Sequence, residues 1–249
     1  NRYYDGIGIR VCCTYNMGKC FYGKRNMENI KSGISENINS RNYWEDRFGT
    51  GDWENKGGRR QTASFASAQV RRFLLPKEFV GLLVDFGCGL GDAMPIYNAF
   101  FPNANLLGLD VSEKAIEKCQ ARYGKIANFI HGTHLDVPVA DVIVASNVFE
   151  HLSDDVNIAK ELLTRCRDLY IIVPYKEDPL CSEHVRTYDE HCFNDLGEYE
   201  YSIFPSRGWS EYGLHLLKLQ IRNLFRWAFG VGVRSRRLQI MFHFRGTLR

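Results

Sequence analysis

The stretch Val84–Asp92, which reads V-D-F-G-C-G-L-G-D, is the part of the sequence best suited to ligand chemistry. Gly87, Gly89 and Gly91 alternate within it, and glycine lets a turn approach a ligand closely. Asp110 follows 23 residues after Gly87, where a carboxylate can accept hydrogen bonds from both hydroxyls of a ribose. The pattern predicts a nucleoside site, and an ordinary tight turn is the simpler alternative.

Two common nucleotide motifs do not fit this loop. A nicotinamide fingerprint, G-x-G-x-x-G, counted from Gly87 would place its last glycine at Asp92. No lysine stands in the position that a P-loop requires. The loop is therefore neither of these two phosphate-binding types.

Candidate proton acceptors lie further along the chain. Histidine is the side chain best matched to proton transfer at neutral pH. We expect His151 to act as a general base, with Glu150 and His184 as further catalytic residues. Packing, capping or solvated loop histidines are the alternative. Together with His191 these side chains could ligate a divalent metal, but their spacing does not require it, and no metal is assigned.

Strands and helices alternate through most of the chain. Seven apolar runs are predicted to be strands: Leu82–Phe86, Asn105–Asp110, Ala127–His131, Val142–Ser146, Leu169–Val173, Tyr199–Phe204 and Leu238–Phe244. The predicted helices are Arg41–Phe48, Gln61–Leu75, Asp92–Phe100, Glu113–Tyr123, Asp155–Cys166 and one around Glu211–Phe229. This order predicts an α/β fold: a Rossmann-like, seven-stranded, mostly parallel sheet with an antiparallel edge strand and helices on both faces.

Composition shifts divide the chain into three parts. Residues 1–40 are predicted to be an extension or linker, residues 41–75 a helical cap, and residues 76–249 the ligand-binding domain. The first residue is Asn rather than Met, so we expect a processed product or a domain of a longer protein.

The charge distribution and the spacing of the cysteines indicate which partners and which cellular compartment to expect. Nine Lys and Arg against one acid lie between Arg207 and Arg249, a charge of +8 in a chain of net charge +3. The basic helix in this segment is suited to an anionic acceptor or a membrane surface. A solvated charged face is the alternative, and the interleaved aromatics give only weak support for nucleic acid. The eight cysteines contain no C-x-x-C, which favours free thiols and a cytoplasmic location.

The glycine loop, the acid that ends the second strand and the late antiparallel strand together resemble class I methyltransferases that use S-adenosylmethionine (SAM). The resemblance covers residues 76–249, and Asn147–Asp154 is similar to the segment after strand four in many small-molecule members. It implies that the first loop holds the methionine part, that Asp110 holds the ribose, and that Thr133, His134 or Leu135 meets the adenine. The cofactor residues implied are Asp85, Gly87, Cys88, Gly89, Asp110, Val111, Thr133, His134 and Asn147.

The segment Tyr43–Trp53 resembles an N-terminal segment of methyltransferases from polysaccharide biosynthesis clusters. The likeness implies that Trp44 covers the sulfonium and that Arg47 pairs with the methionine carboxylate; core packing of these aromatics is the alternative. It implies O-methylation of a sugar hydroxyl in glycan biosynthesis. Methylation of RNA or protein, and a non-catalytic nucleotide-binding module, stay open.

Overall fold

The computed structural model describes residues 10–12, 38–206, 213–230 and 237–248. The strands are β1 (Arg10–Cys12), β2 (Leu82–Phe86), β3 (Asn105–Asp110), β4 (Asn128–His131), β5 (Ala140–Ser146), β6 (Cys166–Pro174), β7 (Tyr199–Pro205) and β8 (Leu238–Arg245). The helices are α1 (Arg41–Gly49), α2 (Asp52–Asn55), α3 (Gly58–Gln69), α4 (Met94–Phe100), α5 (Glu113–Tyr123), α6 (Asp155–Leu163) and α7 (Gly213–Ala228).

The strands form a single sheet in the order β1-β7-β8-β6-β5-β2-β3-β4. Strands β2 to β6 are parallel, and β8 runs antiparallel between β6 and β7. The predicted fold class is therefore confirmed. The antiparallel strand β8 is not at the edge of the sheet, because β7 and then β1 lie outside it. Strand β1 is an eighth strand, and it comes from the segment predicted to be an extension or linker.

Both faces of the sheet are buried, which explains why its central strands are continuous apolar runs. Side chains alternate across the sheet, so neighbours such as Leu83 and Val84 enter different cores. Helices α3, α4 and α5 cover the core that contains Leu83, and α6 covers the core that contains Val84. This arrangement fixes the ends of the strands, where the site is built.

The helices begin where the sequence supplies caps. The hydroxyl of Ser40 accepts from the Tyr43 amide at 3.2 Å, and that of Ser112 accepts from the Ala115 amide at 3.1 Å. The short helix α2 lies inside the Gly-rich stretch 49–58, which separates the two predicted helices of the cap. A 3-10 turn, Val70–Arg72, ends the segment predicted as one helix to Leu75.

The chain winds outward in two directions from the centre of the sheet. It passes from β2 to β3 and β4 on one side, and then returns to β5 and β6 on the other. Because β2 and β5 are neighbours with the same direction, their carboxyl ends frame a crevice. Open α/β sheets bind ligands at such switch points.

Helix α7 connects the ends of β7 and β8 at the same edge of the sheet as this crevice, because β7 is parallel to β2 and β5. Its apolar side chains are unusually exposed: Leu224 is 63% exposed and Trp227 is 71% exposed. In the described ranges, no helix is long and apolar enough to cross a bilayer.

Candidate active site

A cavity of about 300 Å³ lies at the switch point between β2 and β5. Its floor comes from the carboxyl ends of β2, β3 and β5, and its roof comes from α1 and α3 of the cap. Predicted cofactor residues that line it are Trp44, Asp85, Gly87, Cys88, Gly89, Asp110, Val111, Thr133, His134 and Asn147. The structure thus brings together residues that are more than 100 positions apart in the sequence.

The loop after β2 depends on glycine for two separate reasons. Gly87, Gly89 and Gly91 all have positive φ, at 74°, 53° and 72°, a region that L side chains disfavour. A Cβ at Gly87 would also lie 2.4 Å from Cγ2 of Val148. The loop can therefore turn tightly beneath the cavity only with glycine at this position.

Asp110, at the end of β3, fixes the shape of this loop. One carboxylate oxygen accepts from the Gly89 amide at 2.8 Å, and the other accepts from the Ser112 amide at 2.9 Å. Burial raises the pKa of Asp110, and these amides, by favouring the anion, oppose the rise. The side chain predicted to hold a ribose therefore also connects two turns of the protein.

Asp85 places a second carboxylate in the cavity wall. The side chain is almost completely buried. Burial, with a smaller contribution from the charge of Asp110, raises its pKa to about 7. A cationic ligand group at this position would restore the charged form, which is the role expected of a residue that faces an amino group.

One wall of the cavity, formed by α3, was not predicted from the sequence patterns. Helix α3 contributes Gln61, Phe65 and Gln69 to it, and these residues recur at intervals of four, so they lie on one face of the helix. The Oε1 atoms of Gln61 and Gln69 are buried and have no partner in the described part of the chain. Helical periodicity could have identified this face, but not its role.

A chain of buried amides connects the cap to the region after β5. Gln69 donates to Gln239 at 3.2 Å, Gln239 donates to Asn147 at 2.7 Å, and Asn147 donates to Glu150 at 3.0 Å. Asn147 has a φ of 57°, a left-handed conformation that Asn tolerates better than most residues. The network depends on β8, so its members were not recognisable from local sequence.

The three predicted catalytic residues lie together beside the cavity. His151 reaches the cavity wall, and its ring centroid is 5.0 Å from both Trp44 and His184. Burial lowers the pKa of His151. Burial also opposes charging of His184, but its hydrogen bond to Glu177 and the nearby Glu150 carboxylate outweigh this and raise its pKa. Burial thus favours the neutral form of His151, whereas the neighbouring carboxylates favour the charged form of His184.

Arg47 lies outside the residues that line the cavity. Its guanidinium donates to the hydroxyl of Tyr43 at 2.6 Å and forms an ion pair with Glu183. The backbone carbonyl of Glu183 accepts from the side chain of Asn39 at 2.6 Å. In this geometry Arg47 fastens the cap to the loop after β6, rather than pointing at a cofactor carboxylate as predicted. Arg41, six residues earlier in α1, does line the cavity.

The opposite end of the cavity is built by the turn after β4. Thr133 accepts from the Leu135 amide at 3.3 Å, while its own amide and hydroxyl donate to Asp136 at 2.8 and 3.1 Å. Thr133 and His134 line the cavity, whereas Leu135 is 60% exposed and is not among the lining residues. Of the three alternatives for the adenine contact, the geometry favours the first two.

Comparison with known proteins identifies the central segment. Residues 84–169 match the family described as "Methyltransferase domain". A 90-residue stretch is 31% identical to trans-aconitate 2-methyltransferase of Methylobacterium radiotolerans, and it covers 35% of each chain. Residues 84–169 are thus similar to methyltransferase domains. The match spans about a third of the length of this curated relative.

Solved methyltransferases share the fold. A Haemonchus contortus N-methyltransferase in complex with phosphomonomethylethanolamine and S-adenosylhomocysteine has a TM-score of 0.59 at 12% identity, over 84% of this chain and 60% of that one. The plantazolicin methyltransferase BamL, also with S-adenosylhomocysteine, has a TM-score of 0.53 at 16% identity, over 82% and 95% of the two chains. These likenesses concern the fold alone.

The lining of the cavity is chemically suited to S-adenosylmethionine, the cofactor that the resemblance of the glycine loop and Asp110 implies. The cavity combines acidic side chains at the strand ends with aromatic walls from Trp44 and Phe48. Two cap amide oxygens and the hydroxyl of Tyr97 are buried there without a partner in the described residues. Buried polar atoms normally find a partner, so these atoms are available to a polar ligand.

Replacing Gly87 by alanine tests the close approach that shapes the loop. Gly57, with φ of 80°, has nothing within 4 Å of an added Cβ, so Gly57→Ala isolates the conformational cost alone. We expect Gly57→Ala to lower the free energy of unfolding by about 1 kcal/mol. Gly87→Ala should cost clearly more and should also abolish S-adenosylhomocysteine binding. Urea unfolding and calorimetry measure both; equal costs for the two variants would contradict the interpretation.

Proposed function

We propose that the protein is a SAM-dependent methyltransferase that methylates a hydroxyl group of a sugar in glycan biosynthesis. The observation that carries the first part is the cavity at the switch point, which joins the glycine loop, Asp85 and Asp110 beneath an aromatic cap. The sugar acceptor has weaker support. It rests on the resemblance of Tyr43–Trp53 to glycan-cluster enzymes and on the polar loop that follows β6.

In this proposal each part of the cofactor has its own residues. SAM supplies a methyl group on a positively charged sulfur. Asp85 and the glycine loop, with Gly87, Cys88 and Gly89, hold the methionine part, and Asp110 holds the ribose. Trp44 offers its aromatic face to the cation, since ring faces attract positive charge. Val111, Thr133 and His134 surround the adenine, and Asn147 stays beside the loop through its bond with Gln239.

Proton linkage at Asp85 tests this arrangement. Because the pKa of Asp85 is about 7 without ligand, ligand binding that requires the carboxylate must release its proton below that pH. We expect S-adenosylhomocysteine to bind roughly tenfold more weakly at pH 6 than at pH 8. Asp85→Asn should bind weakly at both values, and NAD should not bind. Calorimetry in two buffers of different ionisation enthalpy measures the released proton.

The exposed Asp195→Asn variant is the matched control and should keep the wild-type pH slope. The raised pKa also means that ionised Asp85 destabilises the free protein above pH 7, so Asp85→Asn should unfold at higher urea at pH 8. Absence of S-adenosylhomocysteine binding, with NAD bound instead, would overturn the proposed function. An unchanged pH slope in Asp85→Asn would overturn only the role of this residue.

Transfer to a hydroxyl also requires removal of its proton. Burial lowers the pKa of His151 and so favours its neutral form. His151 lines the cavity and donates from Nδ1 to the carbonyl of Glu183 at 3.1 Å, so its Nε2 is available to receive a proton. We assign His151 as the general base, with Glu150 and His184 beside it. Holding donor and acceptor in line supplies most of the acceleration in such a displacement.

An acceptor screen with labelled SAM, beginning with deoxy sugars and nucleotide sugars, tests the substrate class. With an active acceptor, His151→Ala should lower turnover by about 10²–10⁴-fold while S-adenosylhomocysteine affinity changes far less. His191→Ala, on the same side of the molecule but outside the catalytic group, is the control. Labelling of RNA or protein in place of sugars would favour the alternative acceptors. Cofactor binding without any turnover would favour a non-catalytic module.

We further propose that α7 binds an anionic membrane surface and brings the cavity edge to it, within a cytoplasmic protein. The segment 213–230 contains Lys218, Arg222 and Arg226 and no acid, which complements anionic lipid headgroups. Leu217, Ile221 and Leu224 recur on another face of the helix and are 51%, 47% and 63% exposed. An amphipathic helix of this composition suits the interfacial zone of a bilayer.

Vesicle binding tests this surface. The protein should sediment with vesicles of phosphatidylcholine and phosphatidylserine, less so at 0.5 M salt (about 4 Å screening length), and far less with phosphatidylcholine alone. Leu224→Asp should abolish sedimentation. Val139→Asp, a similarly exposed position before β5 at the opposite edge of the sheet, should not. Equal sedimentation of both variants, or none by the wild-type chain, would refute the proposal.

A further inference from the structure

The group formed by Glu150, His151 and His184 has the composition of a metal site. One ligand atom from each of these side chains lies within 4.8 Å of the other two. Ligands that share an ion at about 2.1 Å are roughly 3.4 Å apart in a tetrahedral site. A movement of about 1 Å by each side chain would therefore close the group around a cation.

The hydrogen bonds around His151 leave its metal-binding nitrogen available. The partner of Nδ1 is the backbone carbonyl of Glu183, at 3.1 Å, and a carbonyl oxygen can only accept. Nδ1 therefore carries the proton, and Nε2 carries the lone pair. Metal-binding histidines are usually oriented by a hydrogen bond of this kind from the other ring nitrogen.

His184 repeats this arrangement with a carboxylate. Its Nδ1 is bonded to Glu177, three residues after the end of β6, and both side chains are mostly buried. The bond directs Nε2 away from Glu177. A carboxylate behind a histidine fixes the ring and raises its basicity as a ligand. Two imidazoles are thus held by their outer nitrogens next to one carboxylate.

The carboxylate of Glu150 gives independent evidence of a missing partner. Its side chain is only 1% exposed. Oε1 accepts from Asn147 at 3.0 Å, but Oε2 is buried and has no hydrogen-bond partner in the described part of the chain. A buried carboxylate oxygen without a partner is costly, and a cation between it and the two imidazoles would satisfy it.

We propose that Glu150, His151 and His184 bind a divalent cation of the Zn²⁺, Co²⁺ or Mn²⁺ type beside the methyl-donor cavity. Two imidazoles and one carboxylate suit these ions better than Mg²⁺, which prefers oxygen ligands. Three protein ligands leave a position open for a further oxygen. Resting on the proposed function, that oxygen is the acceptor hydroxyl: the cation acidifies it, its proton passes to solvent water, and the oxygen takes the methyl group from the sulfonium. In the metal-bound protein His151 is a ligand, and the cation replaces the direct proton transfer to His151 that is proposed for the metal-free protein.

Zinc titration of the chelator-treated, full-length chain tests the site. We expect one Zn²⁺ to bind and to raise the melting temperature. Glu150→Gln and His184→Ala should each weaken zinc binding at least tenfold. His191→Ala, an exposed histidine outside the group, should bind zinc as the wild-type chain does, which controls for surface histidines. Because His184 is not among the cavity-lining residues, His184→Ala should still bind S-adenosylhomocysteine, which shows that it is folded.

The outcomes separate this inference from the proposed function. Absence of zinc uptake by the wild-type chain, or equal uptake by Glu150→Gln, His184→Ala and His191→Ala, would overturn the metal site. Methyl transfer that persists in chelator but is lost in His151→Ala would do the same and leave the general base in place. Failure to bind S-adenosylhomocysteine would instead overturn the proposed function, whatever the zinc titration shows.

Discussion

The carboxylate of Asp110 is the point on which the site depends. It ends β3, and its two oxygens accept the amides of Gly89 in one turn and Ser112 in the next. Ser112 in turn caps α5. A single side chain thus defines the glycine loop, the start of a helix and one acidic wall of the cavity. Because charge-assisted bonds to backbone amides are strong, the loop is held in shape before any ligand enters.

The same carboxylate influences Asp85. Two buried acids in one cavity disfavour each other's ionisation, and the pKa of Asp85 is raised to about 7 by burial and by Asp110. The free protein therefore holds an unfavourable electrostatic arrangement that a cationic ligand relieves. In the proposed function, binding of the methionine part is connected in this way to the protonation of Asp85.

Much of this architecture could be predicted from the sequence. The bounds of β2, β3 and α5 agree with the predicted Leu82–Phe86, Asn105–Asp110 and Glu113–Tyr123, because these segments have clear apolar patterns, a serine cap or glycines at their ends. The α/β order also predicts that the glycine loop lies at the carboxyl edge of the sheet, and the resemblance of Tyr43–Trp53 implies the cap above it. Local periodicity is sufficient to predict the bounds of an element when those bounds are set by the element's own residues.

Long-range partners could not be predicted in this way. Gln69 and Gln239 are 170 positions apart and meet only because β8 inserts between β6 and β7. The ion pair of Arg47 with Glu183 depends on how the loop after β6 folds back over α1. Strand β1, at the far edge, lies in a segment with no sustained period. These features arise from tertiary packing, which a single sequence does not display.

Glu183 connects the roof of the cavity to the His151 imidazole. Its carboxylate holds α1 through Arg47, and its carbonyl fixes the tautomer of His151. A displacement of this one residue would loosen the roof of the cavity and release the imidazole in the same event. The roof of the cavity and the orientation of the His151 imidazole therefore depend on the same residue.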